Sequence, residues 1–324
     1  MAQEQFTDVA VIALPLKTKF RGLQTRELVI FRGRERWAEF SPFVEYPDTE
    51  AKTWLQAALS WANEPLPKLE RSAIRVNATL PAVGPEQVPQ LLANFGRFGS
   101  VKIKVAEAGQ DLAQDLVRIR CVREIYPEVK IRIDANGGYS VADAMRLAHA
   151  LGDSELEYME QPVATIGELV ELRGELSKAG LAIKIAADES IRKAEDPLLV
   201  ALEGAADIAV LKVQPLGGIE RALEIAASSG LEIVVSSGLE SSIGLSQGLH
   251  LAGALPQLNY DCGLATAKLL VGDVTDVPLM AHDGVIEIRE LEPSAELIEK
   301  FRASGEREAW WKARLQRCLE LLES

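Results

Sequence analysis

Six charged residues stand where short apolar runs end, and their types suit proton transfer beside a hard cation. The runs read SVKIKV, VKIRIDAN, LEYMEQP, IKIAADES and IAVLKVQPLGG, and the residues are Lys102, Lys104, Asp134, Glu160, Asp188 and Lys212. Three carboxylates without histidine or cysteine form an oxygen-only donor set, which suits Mg2+, admits Mn2+ and disfavours zinc. Asp134, Glu160 and Asp188 are therefore the candidate metal ligands. Held together without a cation, three such acids would raise one another's pKa. The lysines supply the other half of the chemistry. Lys102 and Lys104 are two residues apart, hence on one face of a strand, and Lys212 comes from a later strand. A lysine acts as a base only when neutral, and nearby positive charge brings it toward the ~7–8 of working lysines. Base and cation together describe abstraction of a proton α to a carboxylate, with the metal stabilising the enediolate. Each lysine taken singly reads as a surface charge or an acid's partner; the set does not.

Successive members from Lys104 onward are 24 to 30 residues apart. A strand, a loop, a helix and a return loop need about that length. The spacing thus predicts consecutive β/α units, each presenting a charge at its strand's carboxyl end, where parallel α/β barrels place their active sites. Strands are expected at 74–79, 100–105, 129–134, 156–160, 183–187, 208–213, 232–236 and 257–261. Between them, Gln110–Tyr126 shows Leu112, Leu116, Ile119 and Val122 at helical spacing, and Ser140-x-x-Asp143 reads as a capping box. Eight strands with intervening helices, and no GxGxxG after the first, favour a barrel over an open doubly wound sheet.

Residues 7–40 break this rhythm. TDVAVIALPL, LQTRELVIF and ERWAEF read as three strands, the last two joined by a turn at Arg32-Gly33-Arg34. Asp48 opens a helix with Trp54, Leu55, Ala58, Leu59 and Ala62 on one face, and EPLPKLERS reads as a connector. A separate α+β lobe over residues 1–72 is expected, with the barrel over 73–276. After Val277 the alternation lapses, and an amphipathic helix near 304–322 follows, its Trp310 and Trp311 read as packing.

The composition narrows the function classes. The 324 residues carry a net charge of −13, which disfavours nucleic acid or an anionic membrane as partner. No apolar run approaches the ~18 residues of a membrane span, and the N-terminus lacks a basic leader. Cys121, Cys262 and Cys318 are far apart and odd in number, as suits thiols in a reducing cytoplasm. A cytoplasmic enzyme acting on a small carboxylate is the expectation; oligomeric state is left open, and a monomer is compatible.

KIK (102–104), IDAN (133–136), MEQP (159–162), ADES (187–190) and LKVQPLGG (211–218) resemble the enolase superfamily, in its muconate-lactonizing subgroup. A lysine base paired with Mg2+ is an established feature of that superfamily. The resemblance implies a TIM-like (β/α)7β barrel under an α+β capping domain, with 277–324 returning to join residues 1–72. Within the subgroup, EFSPF (39–43), VNATLP (76–81) and SSGLESSIGL (236–245) are most similar to its dehydrating branch, lyases of menaquinone biosynthesis. Those enzymes remove water from 2-succinyl-6-hydroxy-2,4-cyclohexadiene-1-carboxylate. By resemblance, Lys104 would take the α-proton and return it to the departing hydroxyl. Lys212 would stay cationic over the ring, and Lys102 would support the carboxylate and lower the pKa of Lys104. Asn136, Ser236, Ser237, Phe20 and Arg21 become candidate substrate contacts, the serines for the succinyl tail. A strand-end turn explains the serines as well, and a plain hairpin loop explains Phe20 and Arg21. Tyr139 stands where many relatives carry tryptophan, a change expected to alter packing and leave the chemistry intact.

Two lysines on opposite faces also permit racemisation of N-succinylamino acids or epimerisation of dipeptides. A Schiff-base aldolase using Lys104 or Lys212, and a barrel kept for binding alone, are further alternatives. His149 and His250 on expected helices, and His282 beyond the barrel, are weak candidates for catalysis.

Overall fold

The computed structural model describes residues 6–20, 22–152, 156–192 and 196–323. It opens with an antiparallel meander of β1 (Thr7–Phe20), β2 (Leu23–Arg32) and β3 (Trp37–Phe40). Ile12 pairs with Leu28 and Leu14 with Arg26 across the β1–β2 ladder. The period-2 alternation of strands sorts these side chains onto two faces. Ile12, Leu14, Leu28 and Ile30 join the main core. Val11, Val29 and Phe31 join a second core with Trp54, Leu55 and Ala58 of the helix Asp48–Asn63. The meander is therefore buried on both sides.

The last helix, Gly305–Glu323, completes that second core with Trp311, Leu315, Cys318 and Leu319. Trp311 is fully buried, meets Phe40 edge-on and donates to Glu27. Arg314 donates to Asp48 and to the carbonyl of Phe43. Burial of each large apolar side chain here contributes about 1.5–3 kcal/mol, so the end of the chain is anchored on its beginning.

Between these segments runs the β/α alternation. After β4 (Ala73–Arg75) come β5 (Ala78–Leu80), β6 (Ser100–Lys104), β7 (Lys130–Asp134), β8 (Leu156–Glu160), β9 (Ile185–Ala187), β10 (Ile208–Leu211) and β11 (Glu232–Val235). Strands β5 to β11 form one curled parallel sheet in chain order. Its strands are short and nearly all buried, as parallel strands covered on both faces must be. Residues such as Ile103, Ile133, Met159 and Ile185 pack outward under the helices. The opposite face holds Tyr158, Ala186, Ile208, Val210, Val234 and Tyr260 as a small inner core.

The helices start where local chemistry dictates. Asp111 and Gln114 form a capping box for Leu112–Ile125, and Thr165 and Glu168 form one for Ile166–Lys178. Ser140 caps Val141–Leu151 by accepting from the Asp143 amide, but the Asp143 carboxylate takes the Ser140 hydroxyl and not its amide. The shorter aspartate thus completes half of the expected box. The Tyr139 hydroxyl donates to Asp115 at 2.6 Å, a packing role.

Two expected strands differ. The first is broken: β4 turns aside to pair antiparallel with β12 (Val285–Glu287), and only β5 joins the parallel sheet. The eighth, at 257–261, does not form. In its place Cys262 bridges to Val76 and Gly263 to Ser236, one residue each. Gln257, Asn259 and Asp261 interrupt that run with polar groups, and Asn259 and Tyr260 spend theirs on Glu232. All three cysteines are free thiols.

Candidate active site

Parallel register sets the site. Lys104 stands opposite Asp134, and Asp134 opposite Glu160, so three strands bring three charges abreast at their carboxyl ends. Lys102 lies two residues deeper on β6, while Asp188 and Lys212 follow directly on β9 and β10. All six are largely withdrawn from solvent; Asp134, Glu160 and Asp188 are at most 1% exposed.

Ammonium groups hold the acids. Lys102 Nζ donates to Glu160 Oε1 at 2.7 Å and lies 3.2 Å from Asp134 Oδ2. Lys104 Nζ donates to Asp134 Oδ2 at 2.5 Å and to Asn136 Oδ1 at 2.6 Å. Lys212 Nζ reaches Asp188 Oδ2 at 2.5 Å, and Arg192 Nε approaches the other oxygen at 3.3 Å.

The protonation balance follows from this geometry. Burial disfavours the Lys102 ammonium, but Glu160 and Asp134 outweigh it and lift its pKa above the ordinary value. Burial lowers Lys104 against the pull of Asp134, and Lys102 adds to the depression. Glu160 is pushed up to about 7 by burial and by the neighbouring Asp134 charge. Asp188, despite burial, is held at about 2 by Lys212 and Arg192.

Among the described residues, no three carboxylate, imidazole or thiol side chains stand as a ready-made metal cage; a lysine holds one oxygen of each of the three acids. The donor chemistry nevertheless fits a divalent cation. Glu160 Oε2 is buried with no hydrogen-bond partner, and Asp134 and Asp188 both lie close enough to raise the Glu160 pKa. An unpaired buried oxygen costs about 1–3 kcal/mol or more, and a cation there would relieve it.

One pocket gathers most of the expected residues. Lys102, Lys104, Asp134, Lys212, Ser236 and Ser237 line it. So do Asn136, whose carbonyl receives Lys104, and Phe20, whose ring centroid lies 5.6 Å from Lys104 Nζ. Arg21 lies outside the described residues. Ser237 shares a hydrogen bond with Thr266 at 2.7 Å. The histidines are elsewhere: His149 and His282 are exposed, and His250 is buried against Trp61 with Nδ1 on the Ser246 carbonyl.

The pocket also takes in residues that sequence reasoning missed. Arg192 is buried between Asp188, Glu189 and the Tyr46 hydroxyl. Its i,i+4 spacing from Asp188 on a short helix was a usable signal. Phe43, Tyr46 and Trp54 arrive from the N-terminal segment; Phe43 ends the EFSPF run and Trp54 lies on the expected helix face, but neither feature pointed to the pocket.

Comparison with known proteins agrees with this layout. Residues 84–293 match the enolase C-terminal domain-like family, and residues 11–62 the enolase N-terminal domain-like family. The chain is 47% identical over 313 residues to an o-succinylbenzoate synthase of Mycobacterium ulcerans, covering 96% of this chain and 93% of that one. The corresponding protein of Mycolicibacterium smegmatis is 48% identical over 96% and 95% of the two chains. In fold, the chain resembles muconate lactonizing enzyme from Pseudomonas fluorescens, with a TM-score of 0.78 at 22% identity over 93% of this chain and all of that one. An N-succinyl Arg/Lys racemase from Bacillus cereus superposes with a TM-score of 0.77 at 19% identity, over 92% and 98%. The chain belongs to the enolase superfamily and, within it, to the family of the o-succinylbenzoate synthases.

Proposed function

We propose that the chain is a hydro-lyase of menaquinone biosynthesis, converting 2-succinyl-6-hydroxy-2,4-cyclohexadiene-1-carboxylate to 2-succinylbenzoate by syn-elimination of water. The observation that carries this reading is the 47–48% identity to o-succinylbenzoate synthases over 96% of the chain. The pocket geometry supports it.

Asp134, Glu160 and Asp188 would hold a divalent cation, Mg2+ or Mn2+. Bound there, that ion would neutralise charge at the substrate's carboxylate. The remaining work falls to the lysines. Lys104, buried at the end of β6, takes the α-proton; the C–H electron pair moves into the ring system. The same ammonium then returns that proton to the hydroxyl as the C–O bond breaks, so water leaves and the ring becomes aromatic. One lysine serving both steps makes the elimination syn. Lys212, across the pocket on Asp188, stays cationic and offsets the developing negative charge. Lys102, paired with Glu160, remains an ammonium that disfavours a second charge on Lys104. Ser236 and Ser237 meet the succinyl tail, and Asn136 and Phe20 line the same pocket.

The architecture in this reading is a (β/α)7β barrel over 73–276 capped by 1–72 with 277–324. The bridges of Val76 to Cys262 and of Ser236 to Gly263 support closure, since they link both sheet edges to one segment. The second core, shared by the first helix and the last, supports the cap. Residence in the cytoplasm accords with the free thiols and with a chain in which no described helix could cross a membrane.

The test is product formation: purified protein with Mg2+ and the cyclohexadiene substrate should yield 2-succinylbenzoate. No product under those conditions overturns the reading.

The placement of Lys104 and Lys212 on separate strands, each gripping its own acid, favours a second activity on the same site: racemisation of N-succinylamino acids. Solvent deuterium should then enter the α-position of either enantiomer. Lys212→Arg should abolish racemisation and spare part of the dehydration, because only racemisation requires Lys212 to transfer a proton.

A further inference from the structure

The pocket's wall at 236–241 is held from outside the barrel strands. Arg26 of β2 is 2% exposed and donates through Nε to the Leu239 carbonyl at 3.2 Å and through a terminal nitrogen to the Gly238 carbonyl at 3.3 Å. It also binds the Ser41 carbonyl and lies 4.4 Å from the centroid of Phe43, itself a pocket residue. Glu39 of β3, fully buried, accepts both the amide and the hydroxyl of Ser241. From the loop side, Glu240 Oε2 accepts the Gly238 amide at 2.7 Å.

This loop needs holding. Leu239 has φ +67°, a left-handed conformation that costs a non-glycine residue of order 1 kcal/mol or more. Space around it is tight: a Cβ at Gly238 would stand 3.1 Å from the Trp54 ring, and one at Gly244 2.8 Å from the Glu39 carboxyl carbon. Ser241 precedes the helix Ser242–Ala254 yet makes no side-chain cap; its hydroxyl donates to Glu39. The neighbouring contact repeats the arrangement, with Ser41 of the same segment bonded to Gln214, two residues beyond Lys212.

We propose that Arg26 and Glu39 are positioning residues for the reaction, fixing the 236–241 loop in the shape in which Ser236 and Ser237 receive the substrate's succinyl tail. They touch no reacting atom. Their effect is on tail recognition: the N-terminal hairpin and the strand-end loop form one rigid wall, so docking of the hairpin sets the specificity of the pocket. This rests on the functional reading above, and the test separates the two.

The experiment compares binding of 2-succinylbenzoate and of benzoate, which lacks the tail, by calorimetry with Mg2+ present. The wild-type protein should prefer 2-succinylbenzoate. In Arg26→Met that preference should fall about tenfold, the equivalent of one lost charge-assisted hydrogen bond, while benzoate binds as before. Ser241→Ala, which removes the hydroxyl bond to Glu39 and keeps the amide bond and Arg26 in place, should act in the same sense and serves if Arg26→Met does not fold. Glu39→Gln keeps an acceptor oxygen for Ser241 and should retain the wild-type preference. Equal weakening of both ligands, or an unchanged preference in Arg26→Met and Ser241→Ala, overturns the proposal. A wild-type protein that does not distinguish the two ligands overturns the functional reading, and this proposal with it.

Discussion

At the scale of single residues, charge compensation decides the site. Asp188 is fully buried between two cations, Lys212 and the buried Arg192. Removing one partner of a buried ion pair costs roughly 3–5 kcal/mol, because a desolvated charge is left behind. Asp188→Asn should therefore lower stability by about that amount in chelator-treated protein, read from urea unfolding midpoints; a loss under about 1 kcal/mol, as for an exposed pair, would contradict the burial argument. The six charges themselves were legible in the sequence, since an acid or a lysine ending a β-forming run such as VKIRID (129–134) has no place in a core. Arg192 left a local signal in its spacing from Asp188; Tyr46 and Trp54 left none that pointed to the pocket, because their part depends on long-range packing. Tyr46 meets Arg192 across 146 positions, and no spacing rule spans that separation.

At the scale of elements, the hairpin-to-loop joint carries an unusual acid. Burial, then the neighbouring Glu240 charge, raise Glu39 from its ordinary 4.5 to about 8. The folded state thus binds more protons than the unfolded chain between those values, and stability falls as pH rises through that window. Glu39→Gln should flatten that fall, seen as a smaller difference between urea midpoints at the two ends of the window. An unchanged difference would mean that Glu39 is ionised in the folded protein at neutral pH. Elements themselves were largely legible: the spacing placed β6 to β11, apolar periodicity placed the helix at Leu112–Ile125, and the Ser140 cap placed the one at Val141–Leu151. The exceptions lay at the sheet's edges. The run at 74–79 was broken because part of it pairs with Val285–Glu287, a partner more than two hundred residues away. The run at 257–261 had apolar residues enough for a strand, yet its polar groups found side-chain partners at Glu232.

At the scale of the whole molecule, the two ends of the chain build one core above a parallel sheet, and the pocket lies where that core meets the strand ends. The resemblance read from five short motifs extends in the comparisons to nearly the full length, which spacing alone could not establish. Chelation should abolish turnover, and added Mg2+ should restore it while raising the melting temperature with the logarithm of its concentration above Kd, as ligand linkage requires; turnover indifferent to chelator would argue against the oxygen donor set. The most direct test of the account is the rate of 2-succinylbenzoate formation by Lys104→Ala beside the wild type, both saturated with Mg2+. A lysine that both removes and returns the proton should be worth at least about a thousandfold in rate. A variant that keeps its rate to within a fewfold of wild type would contradict the account, because some other group would then be moving the proton.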